Sequence, residues 1–360
     1  MPLYVDLHHI HSDYFSEEDA FKAHMKDLNV QDQFGVTHKK YWINFDQKTM
    51  FCLVDGPNKE ACNAAHQMAH LDQACNIIIE VSDNEFISFL GIGKKNENDM
   101  ALTLSNEIDS GYRTIMLVRI CNLSTEQNYT GMVYGLVEQY DGKVVPQPND
   151  RIMVSFIHAS NAIACVTEIR KRLKPISDNL DLTMALVTGK PVDDHSAVLF
   201  EEAKKKVETL CQLGHDGAIY IDSESKALSR QEPNLPETKD NYIKIVNSRD
   251  YALFESLLQI FDDRLKHPDF KSEHLGQELG LSKAQTYRKI KALTEMSPNE
   301  LIREVRLRRS LNALKNNNKT VAEIAYDLGF NSPTYFTRVF RKRFGVLPTS
   351  FAKLSNFHSL

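Results

Sequence analysis

The stretch TVAEIAYDLGFNSPTYFTRVFRKRFGVLP, residues 320–348, constrains the chain most. Ala322, Ile324, Ala325 and Leu328 recur at helical spacing and give a first helix one apolar face. Thr320 stands where a helix cap is needed, and Glu323 three residues on closes a capping box. Gly329 stops that helix, since glycine enters the left-handed conformation at little steric cost. Asn331 and Ser332 open a second helix, and Pro333 fits its first turn, where a missing N–H is harmless. Phe336, Val339, Phe340 and Phe344 fall on one side of it, and Thr334, Thr337, Arg338 and Arg341 lie off that side. A helix, a glycine and a short helix with a polar, basic outer face predict a helix-turn-helix.

Upstream, KSEHLGQELGLSKAQTYRKIKALTEMSPNELI repeats the same logic. Leu275 and Leu279 belong to a first helix, Gly280 turns, Ser282 caps, and residues 283–293 form the second helix. Tyr287, Ile290 and Leu293 mark its inner face, with Gln285, Arg288, Lys289 and Lys291 around it. Between the units, Ser297-Pro298-Asn299-Glu300 combines a capping box with a proline in the first turn. The helix it opens carries Arg303, Arg306, Arg308 and Arg309. About 18 residues at ~1.5 Å each make it roughly 27 Å long, close to the ~34 Å repeat of successive major grooves. An αα-hairpin that only packs is the plain alternative, and two units in one short span argue against it. Charge agrees. Residues 271–360 hold 16 Lys and Arg against 7 Asp and Glu, whereas the rest of the chain holds 27 against 41. A basic end on an acidic body fits a DNA-binding module joined to something that stays off DNA.

Residues 251–353 resemble the AraC/XylS class of bacterial transcription regulators. The resemblance is carried by LGQELGLSKAQTYRKIKALTEMSPNELIREVRLRRS and by VAEIAYDLGFNSPTYFTRVFRKRFGVLP, with Ile324-Ala325, Gly329-Phe330, Phe340 and Gly345-Val346-x-Pro348 as its most specific part. It implies base-contacting positions at Ala284, Gln285, Tyr287 and Arg288 on one helix and at Pro333, Thr334, Thr337 and Arg338 on the other. Ala284 and Pro333 lack a polar head. The expected DNA-binding set is therefore Gln285, Tyr287, Arg288, Lys289, Thr334, Thr337, Arg338 and Arg341. Arg288 and Arg338 are each able to pair bidentately with a guanine.

The amino-terminal part reads as a strand over 3–7, a helix over 17–28, strands over 40–45 and 49–54, a helix over 58–70 and a strand over 76–81. This β-α-β-β-α-β order predicts a ferredoxin-like fold. Seven of the thirteen histidines lie here: His8, His9, His11, His24, His38, His66 and His70. His66 and His70 stand four apart on one helix, so both imidazoles can grip one ion. His8 and His38 are the further candidate metal ligands, and Cys52 is an alternative soft ligand. A solvated helix surface is the plain reading of such a pair. Tyr41-Trp42, Phe51-Cys52-Leu53, Pro57, Glu60-Ala61 and Ile79-Glu80-Val81 resemble a small ferredoxin-like family, some of whose members bind nickel. That resemblance implies nickel or another divalent transition metal, without placing the ligands one by one.

The middle reads as alternating strands and helices, an α/β or α+β arrangement. Its order resembles the class III nucleotide cyclase domain, through Thr114-Ile-Met-Leu-Val, Gly142-Lys-Val-Val, Asp150, Val154-Ser-Phe156, Ala159-Ser-x-Ala162-Ile-Ala, Thr188-Gly-Lys-Pro-Val192 and Leu199-Phe200. Such cyclases hold two metal ions on two aspartates. Here the first aspartate's position is Arg119; Asp150 remains at the second, flanked by Asn149 and Arg151. The assisting asparagine and arginine fall at Lys205 and Thr209. A degenerate cyclase-like domain that relays a signal or dimerises the chain is expected. Arg119, Lys204, Lys205 and Lys206 are an alternative phosphate cradle, against the plainer reading of a solvated lysine run.

The expected organisation is a multidomain α+β chain: a ferredoxin-like metal-binding domain at 1–93, a cyclase-like α/β domain at 111–223, a linker at 224–246 and an all-α double helix-turn-helix domain at 247–355. Residues 93–111 read as a polar separator, and Pro233 and Pro236 mark an exposed tether. The expected function is a DNA-binding transcriptional regulator rather than an enzyme, with an atypical nucleotide cyclase or nucleotide sensor as the alternative. Its partners are double-stranded DNA and a metal or small-molecule effector, with a homodimer as one open arrangement. No apolar run spans a bilayer, the first residues lack a signal-peptide pattern, and six cysteines without C-x-x-C suit a reduced, cytoplasmic protein.

Overall fold

The computed structural model describes residues 1–360 apart from 71–76, 92, 124–128, 148–150, 215, 233–241, 317 and 357–360. Asn149, Asp150, Pro233, Pro236 and Cys75 lie outside the described residues. The other five cysteines are free thiols.

The chain opens with β1 (Leu3–His9), α1 (Glu17–Phe34), β2 (Thr37–Asn44), β3 (Thr49–Asp55), α2 (Lys59–Ala69) and β4 (Ile77–Val81). The strands form an antiparallel sheet in the order β2-β3-β1-β4, the ferredoxin-like arrangement. Ser16 and Asp19 close a capping box on α1, and Gly35 ends it at φ 63°. Period-two alternation divides β1 between two cores. Tyr4 packs with Cys52, Met50 and Val54 under the helices. Val5 and Leu7 point the other way, with Phe51, Leu53 and Trp42.

The separator expected at 93–111 is built structure. Following α3 (Asp83–Phe89), β5 (Lys94–Lys95) and β6 (Ala101–Leu102) form a small hairpin, and Met100 bridges to Tyr41. Asp109 takes two bonds of 2.8 Å from the Arg113 guanidinium and one of 3.3 Å from Trp42 Nε1. Arg113 also donates to the carbonyls of Phe89 and Leu90. This buried pair rivets the first sheet, α3 and the second sheet together, with its donors satisfied in the way a buried charge requires.

The second sheet holds β7 (Arg113–Asn122), β8 (Lys143–Val145), β9 (Arg151–Phe156), β10 (Leu180–Gly189), β11 (Ile219–Asp222) and β12 (Ile243–Val246), ordered β12-β11-β10-β7-β9-β8. Met116 and Val118 face α4 (Thr130–Gln139) and α5 (Ala159–Leu173). Ile115 and Leu117 face α6 (Glu201–Leu213). The linker expected at 224–246 is corrected here. It contains α7 (Ser223–Gln231) and β12, which pairs in parallel with β11.

Helices α8 (Ser248–Arg264), α9 (Ser272–Glu278), α10 (Lys283–Thr294), α11 (Pro298–Lys315), α12 (Val321–Asp327), α13 (Pro333–Phe344) and α14 (Pro348–Asn356) complete the chain. One continuous apolar core runs from Val5, Trp42 and Phe51 through Leu117 and Val207 to Phe254, Phe261, Leu275, Ile290 and Leu301. The three parts are therefore packed into one another. No described helix is long and apolar enough to cross a membrane.

Candidate nucleic-acid interface and candidate metal centre

Helices α9 and α10 turn at Gly280, which sits at φ 63°. The Ser282 hydroxyl accepts from the Gln285 N–H, and Gln285 Oε1 accepts from the Ser282 N–H at 3.0 Å. Gln285 is thus partly occupied as a capping group, which leaves its amide N–H₂ facing out. Thr286, Ile290 and Thr294 are the inner face. Tyr287, expected on that face, is 50% exposed, because residue 287 falls about 100° round the helix from 286. Ala284, Arg288, Lys289 and Lys291 are exposed beside it.

The second unit repeats the geometry. Thr320 and Glu323 close the capping box on α12, and Gly329 turns at φ 79°. Ile324 and Ala325 are buried, whereas Ala322, expected on the apolar face, is exposed. Phe336, Phe340 and Phe344 stack inward with ring centroids 5.6 and 4.8 Å apart. The outer side of α13 borders a groove of about 780 Å³ lined by Pro333, Thr334, Thr337, Arg338, Arg341, Lys342 and Leu347. The Arg338 guanidinium lies 5.2 Å from the Tyr335 ring centre, which holds it on the outer face.

The arginines of α11 divide by burial. Arg303 is exposed, but Arg306 and Arg308 are 9% exposed. Arg306 donates to the carbonyls of Leu265 and His267 at 3.0 and 2.8 Å. Arg308 pairs with Glu304 at 3.1 Å and Asp181 at 3.5 Å, and also donates to the Gly214 carbonyl. Arg343 of α13 joins the same cluster, 2.7 Å from Asp181 and 2.9 Å from Glu304. Arg308 and Arg343 hold the helical part against β10, Arg306 ties α11 to the end of α8, and none of the three is free for phosphate.

In the first sheet the histidines converge under α1 and α2. Asp27 of α1 meets His70 Nε2 at 3.0 Å and His66 Nδ1 at 3.8 Å. The His66 ring lies 4.7 Å from His70 and 4.5 Å from His8, between centroids. A cavity of about 120 Å³ opens onto His8, Asp27, Cys52, His66 and His70. Burial pushes His66 down to about 4, so the imidazole is neutral and offers a lone pair. For His8 burial works downward too, but the Asp6 carboxylate, 2.9 Å away, outweighs it and raises the pKa. His38 departs from the expected four-histidine set. It stands with His24 and Asp27, apart from His66 and His70. A register shift between His38 and Lys40 turns it to the helix-covered face, where plain alternation would have put it beside Lys40 and Trp42. Sequence reasoning also missed Asp6 and Asp27. The available signals were Asp6-x-His8 on one side of a strand and His24-x-x-Asp27 on one side of a helix.

Imidazoles with one carboxylate suit nickel, zinc or copper. Asp27, His66 and His70 are the residues that would hold such an ion, with His8 beside them. Among the described residues, the middle sheet holds no comparable group of metal-ligating side chains. Arg119 stands opposite Arg151 in the β7–β9 register. Lys204, Lys205 and Lys206 each pair with a different carboxylate, Glu85, Glu255 and Glu202.

Two capped helix-turn-helix units joined by one long helix define a double helix-turn-helix domain. Residues 275–354 match the family model described as Helix-turn-helix domain, and residues 4–81 match Nickel responsive protein SCO4226-like. Over 106 residues the chain is 36% identical to histidine kinase P4 of Formosa agariphila, covering 29% of this chain and 8% of that protein. It is 28% identical to an HTH-type transcriptional regulator in the cgkA 5' region of Pseudoalteromonas carrageenovora, over 34% of this chain and 72% of that protein. The solved structure of the adenylyl cyclase CyaB from P. aeruginosa is also similar, at 17% identity and a TM-score of 0.29, over 33% of this chain and 81% of that one.

Proposed function

We propose that the chain is a sequence-specific DNA-binding transcriptional regulator, working in the cytoplasm without enzymatic activity of its own. One observation carries the reading: both units turn a polar and basic helix face outward, while Arg306, Arg308 and Arg343 are consumed in internal contacts. Arg288, Lys289, Arg338 and Arg341 stay available for a duplex, with Gln285, Tyr287, Thr334 and Thr337 beside them. The first helix and the second would enter neighbouring major-groove segments on one face of the DNA.

The effector in this reading is a divalent transition metal such as nickel, held by Asp27, His66 and His70 with His8 beside them. Its binding would tie α1 to α2, and the shared core beyond the first sheet offers a mechanical route to the helical part. An ion that favours one arrangement shifts the balance between arrangements, and one with equal affinity for both shifts nothing. The cyclase alternative is disfavoured by Arg119, a cation where that chemistry needs the first of its two carboxylates.

Genome-wide footprinting of the full chain with and without added Ni²⁺ tests the reading. Protected sites are expected, with occupancy that changes on adding the metal. A protein that protects no site in either condition is not a regulator; one whose sites ignore nickel is not controlled by it.

A further inference from the structure

Asp27 divides the helix-covered face of the first sheet. On one side lie His66, His70 and the cavity. On the other lie His24, one turn earlier on α1, and His38 at the bulge of β2. The ligating atoms of His24, Asp27 and His38 all fall within 4.8 Å of one another, and all three residues are buried. His38 is 8% exposed, and neither of its ring nitrogens has a hydrogen-bond partner. Leaving a buried polar atom so costs about 1–3 kcal/mol. His24 is 1% exposed, and its Nδ1 is likewise unpartnered.

The other nitrogen of His24 explains what that Nδ1 is for. Nε2 lies 3.3 Å from Asp99 Oδ2. A ring N–H donated to a carboxylate fixes the tautomer and leaves the lone pair on the opposite nitrogen, which is how metal-binding imidazoles are commonly oriented. Burial holds the His38 imidazole in its neutral form, which is the ligating form. Asp27 gives Oδ1 to the His66 and His70 side, and its carboxylate has a second oxygen to offer. A lone buried histidine is ordinary. Two in edge contact, with ring centres 6.2 Å apart and unpartnered nitrogens beside a buried carboxylate, are not.

We propose that His24, His38 and Asp27 form a second site for a divalent transition metal, with Asp27 bridging it to the His66–His70 position. The two-nitrogen, one-oxygen donor set suits nickel or zinc rather than calcium or magnesium. The proposal deepens the metal reading above and shares Asp27 with it, but it has ligands of its own. An ion here pins α1 to β2, whereas one at His66 and His70 pins α1 to α2. The α1–β2 joint and the α1–α2 joint of the domain would then both answer to metal.

The test is tightly bound Ni²⁺ per chain, counted by mass spectrometry of the full-length protein after stripping with chelator, reloading with nickel alone and gel filtration. His38→Ala and His24→Gln are each expected to hold one ion fewer than wild type. His66→Ala with His70→Ala is expected to lose a different ion and to keep that one. If His38→Ala and His24→Gln both bind as much as wild type while the double variant loses an ion, the second site is wrong and the first stands. If all three keep the wild-type count, both fall. Should His38→Ala fail to fold by circular dichroism, His24→Gln and the nickel X-ray absorption edge of the wild type decide. Fewer than two imidazole-bound ions per wild-type chain overturns the proposal.

Discussion

Arg338 is the residue on which base reading is most sharply tested. It is exposed on the outer side of α13 and held against Tyr335. Arg338→Ala is expected to weaken binding to the preferred site by about 1–3 kcal/mol and to relax one base position. A selection from random oligonucleotides before and after substitution checks both effects; an unchanged profile removes Arg338 from that role. Lys40 makes a different point about single residues. It lies 7% exposed with its ammonium 4.8 Å from the Trp42 ring centre. Burial lowers its pKa from 10.5 to about 8, against the pull of Asp109. The unfolded chain therefore binds more protons between those values, and stability rises with pH across the window. Relative to Lys40→Met, the wild type is expected to gain up to about 3 kcal/mol from pH 8 to 10.5, at about 1.4 kcal/mol per unit. Denaturant titrations at several pH values read this directly, and parallel curves for the two proteins would refute it.

At the scale of elements, the two reading units depend on their turns. Gly329 sits at φ 79°, and a Cβ there would meet the Leu265 carbonyl oxygen at 2.4 Å and the Arg306 guanidinium at 2.8 Å. Both are fixed, since Arg306 itself bonds to Leu265. Gly329→Ala combines an unfavourable backbone conformation with that clash, so a loss of about 3 kcal/mol or more is expected. Gly280, also left-handed, has open space around its would-be Cβ, and Gly280→Ala is expected to cost only about 1 kcal/mol. Thermal midpoints of the two variants rank them; equal losses would contradict the packing. The caps, turns and phenylalanine stripe of these units were legible because each is local, spanning at most two helical turns. The β2 bulge was not, since a register shift is decided by the partner strand and leaves no residue signature at His38.

For the whole molecule, the joint at Asp181 matters most. This β10 carboxylate accepts from Arg343 of α13 and pairs with Arg308 of α11, so one acid on the second sheet holds the second reading unit in place. On the other unit, Tyr220 donates to the Leu293 carbonyl at 3.2 Å and Lys244 pairs with Glu295. Asp181→Ala leaves two arginines short of a buried partner, and breaking such a pair costs about 3–5 kcal/mol. Calorimetry is expected to resolve a separate early transition for the second unit in the variant, against more cooperative unfolding in the wild type. A simple downward shift of an undivided transition would mean that the joint is not what couples the parts.

The chain's own residues determined the helical code at its carboxyl end, the ferredoxin-like strand order and the gathering of histidines near its start. Each of these follows from spacing, capping or period, which act over a few residues. Only the tertiary structure decided which arginines are spent inside, that the supposed separators are a hairpin, a helix and a strand, and that Asp27 stands between two groups of imidazoles. Burial and ion pairing depend on what the rest of the chain brings within a few ångströms. No local pattern carries that information, because the partners lie tens to well over a hundred residues away.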